Sequence, residues 1–402
     1  MSAVLPDPSA SSASPSPLSW RSLLPAFSNG LIAVLISYAG PLVIVLQAAA
    51  AAQLSAAQTA SWIWAISIGS AITGLWLSWR TRMPIITAWS TPGAALLLAV
   101  LPGLPFAEAV GGFVMANVLI LLLALSDLFD WLMARLPRAL AAAMLAGILL
   151  RFGFGLFQAL QPAPLLVGGM LLAYLLARRW LPRQAIVVVL GCGLLLAALL
   201  GQLRVEGLAL SLAEPVWTTP VFSLRGLFNV ALPLALVTLS GQHVPGLAVL
   251  RNDGYAPPAR LLVGGTAAAS VLLAPFGAHA VNPAAITAAL CTGPSTHEDP
   301  RQRYIAGLAC GAGYLLVGCF GATLAALFAT LPAALIAALA GLALLGAMSG
   351  GLAGAMAEPS EREAALLTLL ATASGMQLGG LSAAFWGLVL GLSAHAMLRV
   401  RR

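Results

Sequence analysis

Long apolar runs separated by short clusters of charged residues make up most of this chain. An α-helix rises 1.5 Å per residue, so about 20 apolar residues cross the roughly 30 Å of hydrocarbon in a membrane. We predict two spans in the uncharged stretch 22–79, one each in 83–107, 109–126 and 226–250, three in 139–202, and two each in 261–293, 304–357 and 364–398. The pattern therefore predicts an all-α membrane protein of about fourteen segments.

The arginines set the orientation of these segments, since all 19 cationic residues are arginine. If the N-terminus is cytoplasmic, only Arg204 and Arg225 fall outside, while sixteen arginines fall on the cytoplasmic side. This positive-inside bias predicts an inner-membrane protein with both termini in the cytoplasm. Arg151 is left within a span, either as an anion ligand or with its side chain reaching for the interface.

Two spans are interrupted by proline in the same way. Thr91-Pro92 and Asn282-Pro283 each place a polar residue before a proline, followed by a small residue and alanine. We interpret each pair as a helix N-cap followed by proline at the first helical position. Two helix starts that meet within the membrane would present free amides to an anion, and such paired interruptions often mark a transporter site. The alternative is two ordinary proline kinks in packed helices.

Polar islands also occur inside the first span of each half, at 37–41 and 240–246. Polar residues within apolar helices usually face the interior of a bundle. The islands repeat in the same order as the interrupted segments. They support a duplicated architecture.

Composition narrows the function. The chain is 60% hydrophobic and 8% charged, against about 25% charged in soluble domains, so lipid is its solvent. The +7 net charge lies in short loops and does not indicate nucleic-acid binding. The four cysteines show no metal-ligand spacing, and no HExxH or GxSxG motif suggests an enzyme. We predict neither cofactor nor metal.

The acidic residues all fall in tails, loops or span ends. A cation transporter usually needs a carboxylate within the membrane, so the substrate is predicted to carry the negative charge. His243 and His279 are the titratable residues placed to carry a coupling proton, although either could be structural. Trp89 could stack on an aromatic substrate or fill the core. Five other tryptophans lie near span ends and fit an interfacial belt, namely Trp62, Trp64, Trp76, Trp79 and Trp180.

The motifs at 83–95, 243–250, 274–277, 282–289 and 384–388 resemble those of the benzoate:proton symporter (BenE) family. The resemblance covers nearly the whole chain after residue 25. It implies proton-coupled uptake of benzoate or a close aromatic acid. It also implies the fold of nucleobase and sulfate-type transporters, with fourteen spans in two inverted seven-span repeats and breaks in spans 3 and 10. Relatives in this fold are often dimers, which suggests a homodimer here.

The Ser-, Pro- and Ala-rich start of the chain predicts a disordered cytoplasmic tail (1–22), and a more polar segment predicts an extracytoplasmic linker (203–225). The resemblance implies that the segments between and after them are a first inverted repeat (23–202) and a second (226–402). Nucleobase relatives carry glutamates on spans 8 and 10, where this chain has Gln242, His279 and Asn282. The predicted substrate-binding residues are Tyr38, Trp89, Ser90, Thr91, Gly93, Gln242, His279, Asn282, Ala284 and Ala285. The predicted proton-coupling residues are His243 and His279. The alternatives are a nucleobase or other small-anion transporter of the same fold, and an anion channel.

Overall fold

The computed structural model describes residues 20–126, 137–182, 184–203, 210–285, 287–379 and 381–399, and this part of the chain is mostly helical. Its first helices and strand are α1 (Trp20–Ala39), α2 (Pro41–Ala51), α3 (Ala56–Thr81), β1 (Thr87–Trp89), α4 (Thr91–Val100), α5 (Phe106–Leu125), α6 (Arg138–Leu160), α7 (Pro164–Trp180) and α8 (Ala185–Leu199). Residues 20–22 are helical, which corrects the end of the predicted tail; residues 1–19 lie outside the described residues.

The second half opens on a long helix that contains two π-helical stretches, Leu227–Ala231 and Leu239–His243. Its elements are α9 (Leu224–Asn252), α10 (Ala259–Leu273), β2 (Val281–Pro283), α11 (Tyr304–Cys319), α12 (Gly321–Ala329), α13 (Ala333–Met356), α14 (Arg362–Ser374) and α15 (Ala383–Arg399). Single 3₁₀ turns occur at Ala274–Phe276, Ala288–Leu290, Pro300–Gln302 and Pro359–Glu361.

Several of these helices are long and apolar enough to cross a membrane. Among the described residues there are seven of them, or eight if the α11–α12 pair, bent by 70°, is one span. Shorter apolar helices such as α4 and α8 do not cross a bilayer by length alone. The structure thus confirms a helical membrane-type fold, while the count of fourteen stays a prediction.

The two interrupted segments meet in a small antiparallel sheet. Thr87 pairs with Pro283, Ala88 with Asn282 and Trp89 with Val281. Two further bonds extend the ladder, from Ser90 N to Ala280 O (3.0 Å) and from Ala284 N to Ile86 O (2.8 Å). Backbone amides have no water to bind inside a membrane, so these extended stretches satisfy one another. The prediction that the two segments come together is confirmed.

Small residues let the surrounding helices approach closely. A methyl group at Gly30 of α1 would overlap the carbonyl oxygen of Ala306 in α11, and one at Gly341 of α13 would lie 2.7 Å from Phe152 O in α6. Close backbone approach at glycine is a common way to pack helices in lipid, where apolar burial gives no net drive. The strands and α4 are therefore held in a tightly packed bundle.

Arg303 anchors the segment between β2 and α11. Its side chain is buried and donates to His297 O (2.7 Å), Thr292 O (2.8 Å) and Glu298 O (3.3 Å). We expect Arg303→Met to lower the free energy of unfolding by about 3 kcal/mol, because three carbonyls, one buried and two part-buried, lose a charged donor. Thermal unfolding in detergent measures this. The exposed neighbour Arg301 is the matched control; an equal effect of Arg301→Met would contradict the anchoring role.

Candidate functional site

Ser90 links β1 to α4. Its hydroxyl accepts from Gly93 N (3.0 Å), its carbonyl accepts from Ala94 N (2.8 Å), and its hydroxyl also bonds Thr238 Oγ1 on α9 (2.9 Å). Ser90, not Thr91, is therefore the N-cap, and the prediction was wrong by one residue. Ser90 has extended backbone and its side chain reaches the third helical amide, as an N-cap does. The Gly93 amide, predicted to bind substrate, is used inside the protein.

The second segment does not begin an α-helix at Asn282-Pro283, contrary to prediction. Both residues lie in β2, and the next amide, that of Ala284, continues the ladder to Ile86. Between β2 and α11 the described residues form only two 3₁₀ turns, at Ala288–Leu290 and Pro300–Gln302. The Ala284 amide is thus not free for a ligand, and Ala285 follows in irregular chain. One helix start and one strand end meet here, not two helix starts.

Helix α9 packs against both segments. A Cβ at Gly241 would lie 3.2 Å from Pro92 Cγ, and one at Gly246 would lie 2.7 Å from Pro283 O. The first of these glycines lies in the π-helical stretch Leu239–His243, and the second follows three residues after its end. π-Bulges are frequent at functional sites. Gln242 in this stretch is half-buried and makes no side-chain hydrogen bond within the described residues.

The buried polar atoms without partners are the strongest functional signal here. Neither ring nitrogen of His243 has a hydrogen-bond partner among the described residues, and the side chain is 1% exposed. Asn282 is fully buried; its Oδ1 also lacks a partner, and its Nδ2 donates only to the adjacent Pro283 O at 3.3 Å. The π-helical stretch and β2 are in contact. An unsatisfied buried polar group costs about 1–3 kcal/mol, so such a group calls for a functional explanation.

His279 is bonded through both ring nitrogens. Nε2 lies 2.9 Å from Ser90 O, and Nδ1 accepts from Trp62 Nε1 at 3.1 Å. A carbonyl oxygen only accepts, so Nε2 carries the hydrogen and the ring is the neutral tautomer. Asn117 Nδ2 also donates to His279 O (2.8 Å). His279 therefore offers no free nitrogen to a substrate or a proton, and this geometry favours the structural alternative raised from the sequence.

Tyr38 and Trp89 form an aromatic cluster with Tyr314. Ring centroids are 5.4 Å apart for Tyr38–Trp89 and 5.8 Å for both contacts with Tyr314. Tyr38 donates its hydroxyl to Ser67 Oγ (2.6 Å). Side chains alternate across a strand, and Trp89 pairs with Val281, one position from Asn282. The aromatic cluster thus lies on the face of the sheet opposite Asn282, and the predicted site residues divide between two faces.

Sequence reasoning missed three residues that hold the site. Trp62 was assigned to the interfacial belt, yet it is fully buried and bonds His279. Thr238 and Tyr314 carry no local motif and are recognised only from their partners, Ser90 and Trp89. The belt interpretation fits the exposed tryptophans Trp76, Trp79 and Trp180.

A family model and a similar protein of known name carry the same family description. The family described as benzoate membrane transport protein, BenE, matches residues 21–397. A benzoate membrane transport protein of Acinetobacter baylyi is 46% identical over 375 residues, covering 93% of this chain and 95% of that protein. The inner membrane protein YdcO of Escherichia coli is 41% identical over 376 residues, covering 94% and 96%.

Solved structures of anion transporters share the fold at low sequence identity. The transmembrane domain of the cyanobacterial bicarbonate transporter BicA superposes with a TM-score of 0.57 at 16% identity, covering 95% of this chain and 98% of that one. SLC26A9 superposes with a TM-score of 0.63 at 11% identity, covering 96% and 66%. The family match extends over nearly the whole chain and describes a membrane transport protein, not an enzyme. This chain belongs to the BenE family of benzoate membrane transport proteins.

Proposed function

We propose that this protein takes up benzoate or a similar aromatic carboxylate together with a proton across the inner membrane, by alternating access. The observation that carries the proposal is a set of buried polar atoms without partners among the described residues, the two ring nitrogens of His243 and Asn282 Oδ1, where α9 meets the strand β2. Support for the substrate comes from the family description and from the name of the Acinetobacter relative. Gln242, on the same turn of α9, forms the side wall.

The donors and acceptors at this place match a carboxylic acid better than a bare anion. A neutral imidazole offers one N–H donor and one acceptor, and an amide oxygen only accepts. The N–H of His243 donates to one carboxyl oxygen. The proton that accompanies the substrate lies either on the second carboxyl oxygen, which donates it to Asn282 Oδ1, or on the second His243 nitrogen, away from the carboxyl group. When a proton is transported with the anion, the transported species has no net charge. This avoids the high free-energy cost of an isolated charge in a low-dielectric interior.

The remaining predicted residues form the framework of the site. Their backbone amides, which the sequence analysis assigned to the carboxylate, do not contact it. Ser90 caps the start of α4 and bonds it to α9. The amides of Gly93 and Ala284 donate to Ser90 Oγ and Ile86 O, so both are used within the protein. Thr91 is half-buried, and its hydroxyl has no partner among the described residues; it completes the wall with Ala285. Tyr38 and Trp89 support β1 from its other face.

Alternating access follows from the burial of the site. A substrate reaches His243 and Asn282 only if the packed helices around them separate, first on one side of the membrane and then on the other. We propose fourteen spans in two inverted seven-span repeats, with both termini cytoplasmic as the arginine distribution indicates. A homodimer is part of this proposal by analogy with relatives of the same fold.

Uptake by purified protein in proteoliposomes tests the function. With an inward proton gradient, labelled benzoate should accumulate above its equilibrium level, and a protonophore should abolish the accumulation. Equilibration without uphill accumulation would point to an anion channel. Strong competition by uracil or xanthine would point to a nucleobase transporter. Protein-free liposomes are the control, because benzoic acid itself crosses lipid when protonated.

A further inference from the structure

Arg151 is a cation inside a helix that is long and apolar enough to span the membrane. Apart from Arg138 at its first position, it is the sole charged residue of α6. At 1.5 Å per residue it lies about 14 Å from the end of the helix at Leu160. Charged residues within spans almost always face a bundle interior or a wet cavity and pair with a partner there. Arg151 is therefore expected to have a partner of opposite charge or with hydrogen-bond acceptors.

No protein partner neutralises Arg151 within the described residues. The one side-chain ion pair among them joins His395 and Glu361, elsewhere in the protein. The Nη2 end of the guanidinium instead lies against Gly375, where any Cβ would overlap it. Gly375 has φ of +68°, so it is also a position where glycine is strongly favoured. Glycine therefore provides the space for the cation, and the part of the chain that the structure describes provides no counter-charge.

Two residues with buried hydroxyls line the same small cavity as Arg151. Thr372 is 4% exposed and Ser382 is 7% exposed, and the hydroxyl oxygen of each has no partner among the described residues. With Gln377 and Arg151 they line a cavity of about 20 Å³ at the start of α15. Each of these side chains can donate a hydrogen bond, and none is acidic. Such a set selects an anion.

A second cavity lies on the other side of Arg151. It has a volume of about 90 Å³ and is lined by Gln47, Leu98, Arg151, Phe152, Gly155 and Ala337. Drug-sized ligands need about 300 Å³ or more, so this apolar space suits a single ring beside Phe152. Gln47 also lines a larger cavity of about 670 Å³, which Leu212 and Glu214 of the linker border. Arg151, an exposed side chain, thus borders two cavities, and Gln47 links the second of them to the cavity that the linker borders.

We propose that Arg151 anchors a second binding site for the aromatic carboxylate, an entry site between the linker and the His243–Asn282 pair. The carboxylate accepts hydrogen bonds from the guanidinium and from the hydroxyls of Ser382 and Thr372, and the ring occupies the 90 Å³ cavity. A guanidinium matches a carboxylate through two parallel bonds. This inference rests on the proposed function, since both the aromatic acid and the outer position of the linker belong to it.

Benzoate uptake kinetics test the entry site. We expect Arg151→Gln to raise KM for external benzoate about ten-fold, because a charge-assisted pair is lost, while the maximal rate per folded protein stays near that of the wild type. Arg151→Lys should give an intermediate KM, because lysine keeps the charge but not the planar fork. Gly375→Ala should raise KM with the arginine retained, since the methyl group displaces the guanidinium. Arg178→Gln, which alters a cation at the end of α7, is the matched control and should leave KM unchanged.

The outcomes separate this inference from the function on which it rests. If the wild type does not accumulate benzoate, the proposed function fails. If the wild type accumulates benzoate and Arg151→Gln keeps the wild-type KM, the entry site alone is wrong. If Arg151→Gln does not fold, Gly375→Ala and Arg151→Lys still decide, because an unchanged KM in both contradicts the site.

Discussion

Replacing Asn282 by alanine is expected to lower benzoate uptake about ten- to a hundred-fold while the thermal stability of the protein is unchanged or higher. The loss of uptake follows from removing Asn282 Oδ1, the acceptor for the carboxyl proton, because a buried donor left unsatisfied costs about 1–3 kcal/mol. Stability is spared because Asn282 Oδ1 satisfies no protein group, and its Nδ2 makes only a 3.3 Å contact with the neighbouring carbonyl. Uptake per folded protein and the melting temperature in detergent are the two measurements.

Asn117 is the matched control for this variant. It is also a buried asparagine, but its Nδ2 donates to His279 O and Phe113 O, both at 2.8 Å. Asn117→Ala should therefore lower the melting temperature. Wild-type uptake by Asn282→Ala, or by the double variant that also carries Thr91→Ala, would contradict the placement of the site. A fall in stability equal to that of Asn117→Ala would show that Asn282 is structural.

The broad architecture was predictable because lipid penalises charge and free amides so strongly. Apolar runs of span length and the one-sided arginines follow directly from that penalty, and the structure has helices in these runs. The two prolines, Pro92 and Pro283, correctly marked the chain segments that leave helical geometry. Extended backbone at these points needs a partner, and each segment is the other's partner.

The local structure was less predictable, because the same short sequence pattern has different hydrogen-bond partners at its two positions in the chain. The polar-proline-small-alanine pattern occurs twice, yet only the first copy opens an α-helix. In the second copy the Ala284 amide bonds Ile86 O, far away in sequence, and that pairing favours a strand. Trp62 shows the same limitation. Its position near a span end predicts the interface, but its indole N–H is bound to His279, 217 positions along the chain.

Replacing His279 by alanine is expected to lower the free energy of unfolding by about 3 kcal/mol or more. Proton coupling should stay intact in the fraction of the variant that folds. The variant leaves the Trp62 N–H without a partner, removes the second of the two hydrogen bonds that Ser90 O accepts, and opens a cavity where the ring was, and each of these changes carries a cost. The milder Trp62→Phe keeps a ring in place but removes the donor to Nδ1, so its loss should be about 1–2 kcal/mol.

The measurement that decides the role of His279 is the dependence of benzoate uptake on the proton gradient, normalised to folded protein. In Trp62→Phe, and in any folded His279→Ala, the accumulation ratio should match that of the wild type. A proton carrier behaves differently: its loss abolishes uphill accumulation but allows exchange of benzoate down its gradient. That second pattern in a His279 variant would overturn the structural role. The same pattern in His243→Gln is what we expect, because the two nitrogens of His243 have no partner among the described residues, and they alone of the two histidines are free to take up a proton.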